Sequence, residues 1–284
     1  MSVEPEHHGG RGTPLLLLHG FTDTWRAWRP LLSRLEPRHE VLASTLPGHH
    51  GGDPWPKEIG MSVDATVDLL ERRMDAAGWR TAHIAGNSYG GWLALELALR
   101  GRARSVVGLC PAGGWDHGTK EAKHVYGYFE RAHLSLKHAR PGMLALLAKR
   151  PRLRKLALRE LVAHPERVPS RAALDMLEGA SGCSIVTEAI AMGREEGSWS
   201  DLGPIDVPVR IAYGTRDWLI RWPSHYRRLQ RILPDAEFVA LEDCGHLPMW
   251  DDPEQVSRAI LDVTAAVDTA ARAAGAGDST PAFR

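Results

Sequence analysis

Six residues, Gly86-Asn87-Ser88-Tyr89-Gly90-Gly91, lie between a strand pattern and a helix pattern, and that placement restricts the fold more than any other feature. His83-Ile84-Ala85 leads in, and Trp92-Leu93-Ala94-Leu95-Glu96-Leu97-Ala98-Leu99 leads out. A strand that turns directly into a helix needs small residues two places before and after its tip, because Cβ atoms there collide. Gly86 and Gly90 meet that need. They put Ser88 at the tip and at a helix N-terminus, where N–H groups and the helix dipole favour developing negative charge. In a chain with 28 glycines this spacing also arises by chance, so its weight rests on what surrounds it.

The surroundings alternate. Leu15-Leu16-Leu17-Leu18 is a continuous apolar run closed by His19-Gly20, as expected of a strand buried on both faces. Trp25, Trp28, Leu32 and Leu35 share one helical face, and Val41-Leu42-Ala43 forms a second strand before the loop Leu46 to Pro54. Ser62 caps a helix carrying Val63, Val67, Leu70 and Met74 until Gly78. Beyond the central turn come strands Ser105–Leu109, Pro208–Tyr213 and Glu237–Leu241, with helices near Ser224–Leu233 and from Pro253 to about Val267. Strands alternating with helices predict an α/β fold with a mostly parallel sheet covered on both faces. The first twelve residues read as a flexible lead-in, and Ala270 to Arg284 as a frayed tail.

The stretch from Trp115 to Ser200 breaks the alternation. It reads as several helices without strands and holds 14 Lys and Arg against 10 Asp and Glu. The expected organisation is a core of residues 1–114 and 201–284 with a helical lid (cap) at 115–200. Such a lid would lie over the C-terminal strand ends, where open α/β sheets bind ligands.

Composition excludes several classes. A 43% hydrophobic and 25% charged chain is that of an ordinary globular protein, and a formal net charge of zero gives no global attraction to nucleic acid or an anionic membrane. No run approaches a membrane span, and the first ten residues lack the order of a signal peptide. Cys110, Cys183 and Cys244 are far apart, as free thiols of a reducing compartment would be. The expected setting is therefore cytoplasmic, with no nucleic-acid partner, no stable membrane association and a small-molecule substrate. The oligomeric state is left open.

A serine that attacks a carbonyl needs a base, a group to orient that base, and donors for the oxyanion. Asp217 follows the strand ending at Tyr213, and His246 follows the strand ending at Leu241. Both lie just past C-terminal strand ends, on the same sheet edge as Ser88. A sharp turn at His19-Gly20-Phe21 aims the Phe21 N–H at the same place, and the Tyr89 N–H supplies a second donor. Asp243 and Asp116 are rivals for the acid. His19 reads as a turn-stabilising residue, and adjacent His49-His50 have no partners at metal-ligand spacing. No metal and no cofactor is expected.

His19-Gly20-Phe21, Leu46-Pro47-Gly48-His49, Gly86 to Gly91, Gly214-Thr215-Arg216-Asp217 and Cys244-Gly245-His246-Leu247-Pro248 together resemble the α/β-hydrolase superfamily, in its serine-nucleophile, lid-bearing branch. The resemblance spans roughly residues 14 to 268. It implies Ser88 as nucleophile, Asp217 as acid, His246 as base, and the Phe21 and Tyr89 amides as oxyanion donors. Serine at the elbow argues against relatives that open epoxides or remove halides through an alkyl-enzyme ester. The chain departs from the family pattern before Pro14, where one or two N-terminal strands are expected to be absent.

The resulting expectation is a cofactor-independent serine hydrolase acting on a carboxylic ester, thioester or related activated carbonyl. Alternatives are a C–C bond hydrolase or pyruvate-eliminating lyase with the same triad, a perhydrolase or haloperoxidase, and a non-catalytic binding protein. Asn87 before the serine resembles the C–C cleaving branch. Trp25, Trp218, Leu247 and Trp250 are candidates to line an apolar pocket, with Phe21 and Tyr89 beside them. The basic run Lys149 to Lys155 reads as a solvated face, with an anion-binding lid as the sharper alternative.

Overall fold

The structure is a computed structural model and describes residues 4–195 and 203–277. Its strands are β1 (Glu6–Gly10), β2 (Thr13–Leu18), β3 (His39–Ser44), β4 (Ala82–Asn87), β5 (Ala103–Leu109), β6 (Val209–Gly214) and β7 (Glu237–Leu241). Around them lie helices α1 (Arg29–Leu35), α2 (Val63–Ala76), α3 (Tyr89–Leu99), α4 (Lys120–Leu136), α5 (Pro141–Lys149), α6 (Pro151–Leu158), α7 (Ser170–Gly182), α8 (Val186–Glu195), α9 (Arg227–Ile232), α10 (Pro248–Asp251) and α11 (Pro253–Gly277).

The sheet order is β1-β3-β2-β4-β5-β6-β7, and every pairing is parallel except β1 on β3. From β2 the chain first moves to one side, to β3, and then to the other, to β4. The crevice between the C-terminal ends of β2 and β4 is therefore a topological switch point, the usual place for a ligand. Leu18 pairs with Gly86 across it, which sets His19-Gly20 beside Ser88.

The four leucines of β2 show why that strand does not alternate. All are fully buried, Leu16 and Leu18 in the core on one face and Leu15 and Leu17 in the core on the other. A central parallel strand needs apolar residues in both directions.

Three expectations change. The first residues are not a loose lead-in: β1 pairs antiparallel with β3, from Glu6 opposite Ser44 to Gly10 opposite Glu40. A polar, glycine-rich edge strand carries no periodic signal, because its hold comes from ladder hydrogen bonds and from pairs such as His7 with Glu36 at 2.6 Å. Thus one strand does precede β2 and closes that edge. The helix read over Trp25 to Leu35 is a 3-10 turn, Trp25–Trp28, followed by α1, with Pro30 in its first turn. The alanine-rich C-terminus is not frayed from Ala270, since α11 runs to Gly277; residues 278–284 lie outside the described residues.

Alanine favours helix intrinsically, and a polar cluster ties α11 to the N-terminal ends of the strands. Asp268 Oδ2 accepts from Thr13 Oγ1 at 2.6 Å, and Oδ1 accepts from His83 Nε2 at 3.1 Å and Arg104 at 3.2 Å. His83 Nδ1 pairs with Ser105 Oγ at 2.7 Å, and His39 Nε2 with Thr264 Oγ1 at 2.9 Å. Burial opposes the charge on Asp268, but hydrogen bonds from Thr13 and His83 outweigh it and hold the carboxyl below its ordinary range. Burial holds the His83 and His39 imidazoles below theirs, against partial compensation from Asp268.

The stretch from Trp115 to Ser200 contains α4 to α8 and no strand among its described residues; residues 196–202 lie outside them. No helix among the described residues is long and apolar enough to cross a membrane.

Removing Asp268 strands three donors in a half-closed site. Asp268→Ala should lower unfolding free energy by about 3 kcal/mol, read from urea midpoints. The unfolded imidazoles of His39 and His83 take protons near pH 6.5 that the folded ones refuse. Stability should therefore fall between pH 7 and pH 5, and less so in a His83→Gln variant.

Candidate active site

Ser88 joins β4 to α3 with φ 53° and ψ −117°, a conformation L-residues rarely adopt and that costs on the order of 1–3 kcal/mol. Its backbone is gripped from both sides. The Ser88 N–H donates to Leu109 O at 2.9 Å, and its carbonyl accepts from Gly91 at 3.0 Å and Ala112 at 2.9 Å. A Cβ on Gly86 would lie 2.0 Å from Gly90 O, and one on Gly90 would lie 2.1 Å from Leu18 O. The glycine spacing is thus a contact requirement: β2, β4 and α3 meet with no room for a methyl group.

His246 and Asp217 arrive from β7 and β6. His246 Nδ1 lies 2.8 Å from Asp217 Oδ2, with both side chains almost fully buried. Asp217 Oδ1 accepts the N–H groups of Leu219 and Ile220, each at 2.8 Å. A carboxylate so placed only accepts, so Nδ1 carries the proton and Nε2 is left as the acceptor. Ser88 and His246 line the same cavity, and no hydrogen bond joins them among the described residues. Contacts of this type tighten when substrate is bound.

The rivals for the acid are occupied elsewhere. Asp243 is exposed and pairs with Arg216 at 2.8 Å and His164 at 2.6 Å, while Asp116 pairs with Arg231 at 3.2 Å. His19 is fully buried, with Nδ1 2.7 Å from Gly20 O and Nε2 accepting the Leu46 N–H at 2.8 Å. Burial and neighbouring His49 keep it neutral, well below the usual imidazole range, and burial brings His49 to about 4. The His19 ring thereby ties the turn after β2 to the loop after β3. The Phe21 amide that follows has no internal acceptor among the described residues. The Tyr89 amide opens α3 beside Ser88.

The cavity, about 290 Å³, runs from Gly20, Phe21, Ser88 and His246 to Met176 and Leu177 of α7. A smaller compartment of about 60 Å³ also reaches Ser88, walled by Trp92, Trp115, Tyr126 and Ile190. Phe21 and Phe129 border both, with ring centroids 5.0 Å apart.

Of Trp25, Trp218, Leu247 and Trp250 only Leu247 lines the cavity, whereas Phe21 borders both compartments and Tyr89 the smaller one. Trp25 belongs to the core beneath β2, where its ring stacks on His7 and its Nε1–H donates to Glu4 O at 2.8 Å. Trp218 is 57% exposed under the Arg221 guanidinium, and Trp250 packs on the core below α10. Nearness in sequence to a motif is not nearness to the cavity: none of these three rings lines either compartment. The basic run 149–155 does not line the cavity either. Arg154 turns inward, donating to Ala148 O and Ser170 Oγ, both at 2.9 Å, and so splices α5, α6 and α7.

Sequence reasoning missed several wall residues. Phe129 had a signal: it follows Val125 at i+4 on the buried face of α4. Asp23, also on the wall, had none. Nor had Cys110, a fully buried thiol behind the His–Asp pair, whose donor atom lies within 4.8 Å of theirs. Cys110, Asp217 and His246 are the one His/Cys/carboxylate cluster of metal-site size among the described residues, and two of its members already satisfy one another.

The family profile described as "Alpha/beta hydrolase family" matches residues 15–259. The chain belongs to the alpha/beta hydrolase family. It is 32% identical over 203 residues to epoxide hydrolase EphH of Mycobacterium tuberculosis, covering 70% of this chain and 94% of that protein. It is 24% identical over 254 residues to lipase 3 of Moraxella sp., covering 87% and 76%. Among solved structures, a thermophilic esterase from Thermogutta terrifontis superposes with TM-score 0.72 at 23% identity over 92% of this chain and 93% of that one. A meta-cleavage product hydrolase from Pseudomonas fluorescens IP01 superposes with TM-score 0.70 at 23% identity, over 91% and 93%. These two likenesses are of fold. As a member of this family the protein is a hydrolase.

The elbow geometry makes a prediction free of any substrate. Gly90→Ala drives a methyl into Leu18 O and should cost at least about 3 kcal/mol, seen as a lowered melting temperature or loss of folded protein. Gly60→Ala, whose Cβ meets nothing within 4 Å, is the control and should leave the melt unchanged.

Proposed function

We propose that the protein is a serine hydrolase that cleaves a carboxylic ester, thioester or related activated carbonyl through an acyl-enzyme on Ser88. The observation that carries this reading is the buried His246–Asp217 pair on the cavity that also exposes Ser88. His246 Nε2 takes the Ser88 proton as Oγ attacks the carbonyl carbon, and the Phe21 and Tyr89 amides hold the oxyanion. His246 then protonates the leaving group, and water activated by the same nitrogen releases the acid. Asp217, held by two backbone N–H groups, keeps Nδ1 protonated and stabilises the imidazolium.

The two compartments that both reach Ser88 suit the two halves of an ester. The helices of 115–200 act in this reading as a lid, since α4 and α7 supply most of the cavity wall beyond the sheet edge. The chemistry sits on the sheet, and the lid shapes what reaches it.

Two names among the relatives invite other readings. An epoxide opened by Ser88 would leave an alkyl ether on Oγ. An ether has no carbonyl for water to attack, so turnover would stop after one event, and the similarity to EphH argues for common descent more than a common reaction. C–C bond cleavage has Asn87 in its favour, together with 32% identity over 127 residues to a 2-hydroxymuconate semialdehyde hydrolase of Pseudomonas sp., covering 43% of this chain. Yet the Asn87 amide donates to Leu109 O at 3.0 Å and His246 O at 2.9 Å. It anchors the base's loop whatever the substrate is.

A panel of nitrophenyl esters of rising acyl length should show turnover, and Ser88→Ala should lose at least roughly 10³-fold in kcat. Asp217→Asn should lose about 10⁴-fold through the wrong His246 tautomer. Clean fluorophosphonate labelling of Ser88 with no ester turned over would shift the reading to C–C cleavage. Sustained hydrolysis of styrene oxide would overturn the ester reading.

A further inference from the structure

The cavity wall contains a carboxyl group with no counterion. Asp23 is 9% exposed and lines the same cavity as Ser88 and His246. One of its oxygens, Oδ1, accepts the Thr24 N–H at 2.8 Å. The other has no partner among the described residues, yet it is not among the sealed polar atoms, so it keeps open space beside it. Asp23 lines the cavity that holds Ser88 and His246, and we take that cavity as the space beside this oxygen.

Asp23 has no evident structural employment. The 3-10 turn Trp25–Trp28 is capped by the Thr24 hydroxyl, which accepts from Arg26 N at 3.3 Å. Two nearby guanidiniums are committed to another acid: Arg29 and Arg171 bind Asp175 of α7 at 3.0 and 2.8 Å, and no ion pair joins Arg26 to Asp23 among the described residues. Burial pushes the Asp23 carboxyl up to about 7, against the Thr24 hydrogen bond and with the help of Asp175's charge. A buried carboxyl without a partner is destabilising, and such groups concentrate where a ligand completes them. α7 also packs close here: a Cβ on Gly179 would lie 2.9 Å from Thr22 O.

We propose that Asp23 is a specificity-determining residue that accepts a hydrogen bond from a hydroxyl or protonated amine on the substrate part filling the larger cavity. Hydroxyacyl and aminoacyl esters are thereby favoured over plain acyl esters of equal length. The inference rests on the ester reading only for which bond is cut, since recognition of the donor is a binding property.

Binding is therefore tested apart from catalysis, in Ser88→Ala protein. Calorimetric titrations would compare nitrophenyl hexanoate and octanoate with their ω-hydroxy and ω-amino analogues. The expected result is roughly tenfold or more tighter binding of at least one donor-bearing analogue over the plain ester. The two analogues tell a hydroxyl preference from an ammonium preference. Adding Asp23→Asn keeps the shape and the Thr24 contact but turns an –NH₂ toward the cavity, so the ratio for the ω-amino analogue, which can only donate, should drop to about one or below. Asp23→Ala removes the partner altogether and should bring the ratio to about one for either analogue, and reading the ratio within each variant removes any general loss of binding.

A positional role alone would not move with pH. The charged and titratable groups around Asp23 are Asp175 with Arg29 and Arg171, Arg26, and across the cavity Arg131, Glu160 and His246. As Asp23 ionises from pH 6 to 8 the ratio should rise, and in Asp23→Asn it should stay flat. Equal affinities for plain and donor-bearing esters, or a preference untouched by Asp23→Ala, would overturn the inference. Wild-type turnover of the plain esters reports separately on the ester reading.

Discussion

Three backbone segments approach within contact distance at the C-terminal end of β4, and the rest of the molecule is arranged around that approach. Gly86, Gly90 and Leu18 O leave no space for a side chain between β2, β4 and α3. The strand can enter the helix there only if Ser88 takes a positive φ. Its hydroxyl is consequently presented where the sheet topology reverses. The local strain is offset by hydrogen bonds from three directions, at Leu109, Gly91 and Ala112. A turn this tight works as a fixed reference against which other groups are placed.

Those groups arrive by the simplest route a parallel sheet offers. Parallel strands all end on one edge, so the residues following β2, β4, β6 and β7 gather there however far apart they are in the chain. Fully buried leucines keep β2 rigid from both faces. Two N–H groups from Leu219 and Ile220 fix Asp217, Asp217 fixes His246, and Asn87 holds the His246 carbonyl. Each polar group is thus positioned by the next, and the burial that makes this costly also makes it exact in direction. At the opposite edge the Asp268 cluster performs a purely structural service, fastening α11 under the strand starts.

The inserted helices follow a different logic. Their basic residues mostly face outward, and the exception, Arg154, serves as an internal splice between α5 and α7. Their apolar faces close over the sheet edge and make the cavity. The wall carries Asp23, Arg131, Glu160 and His246 beside its apolar residues, so the charge on each can bear on what is held there.

Much of this was legible in the residues alone. The glycine spacing around Ser88, the apolar run of β2 and the acids and histidines just past strand ends are local signals, because steric exclusion and burial act over a few residues. Alternation of strand and helix then carried the α/β fold. What stayed hidden were choices made by long-range packing. Edge strand β1 has no periodicity, since its partner supplies its hydrogen bonds. The rings of Trp25, Trp218 and Trp250 lie beside motif residues in sequence, but backbone direction sends them elsewhere. Asp23 and Cys110 look ordinary until the fold removes water from around them. By itself the sequence determined the turn at Ser88, the strands from β2 to β7 and the order of the candidate triad. Only the tertiary structure decided which side chains wall the cavity, because that depends on where helices far away in the chain come to rest.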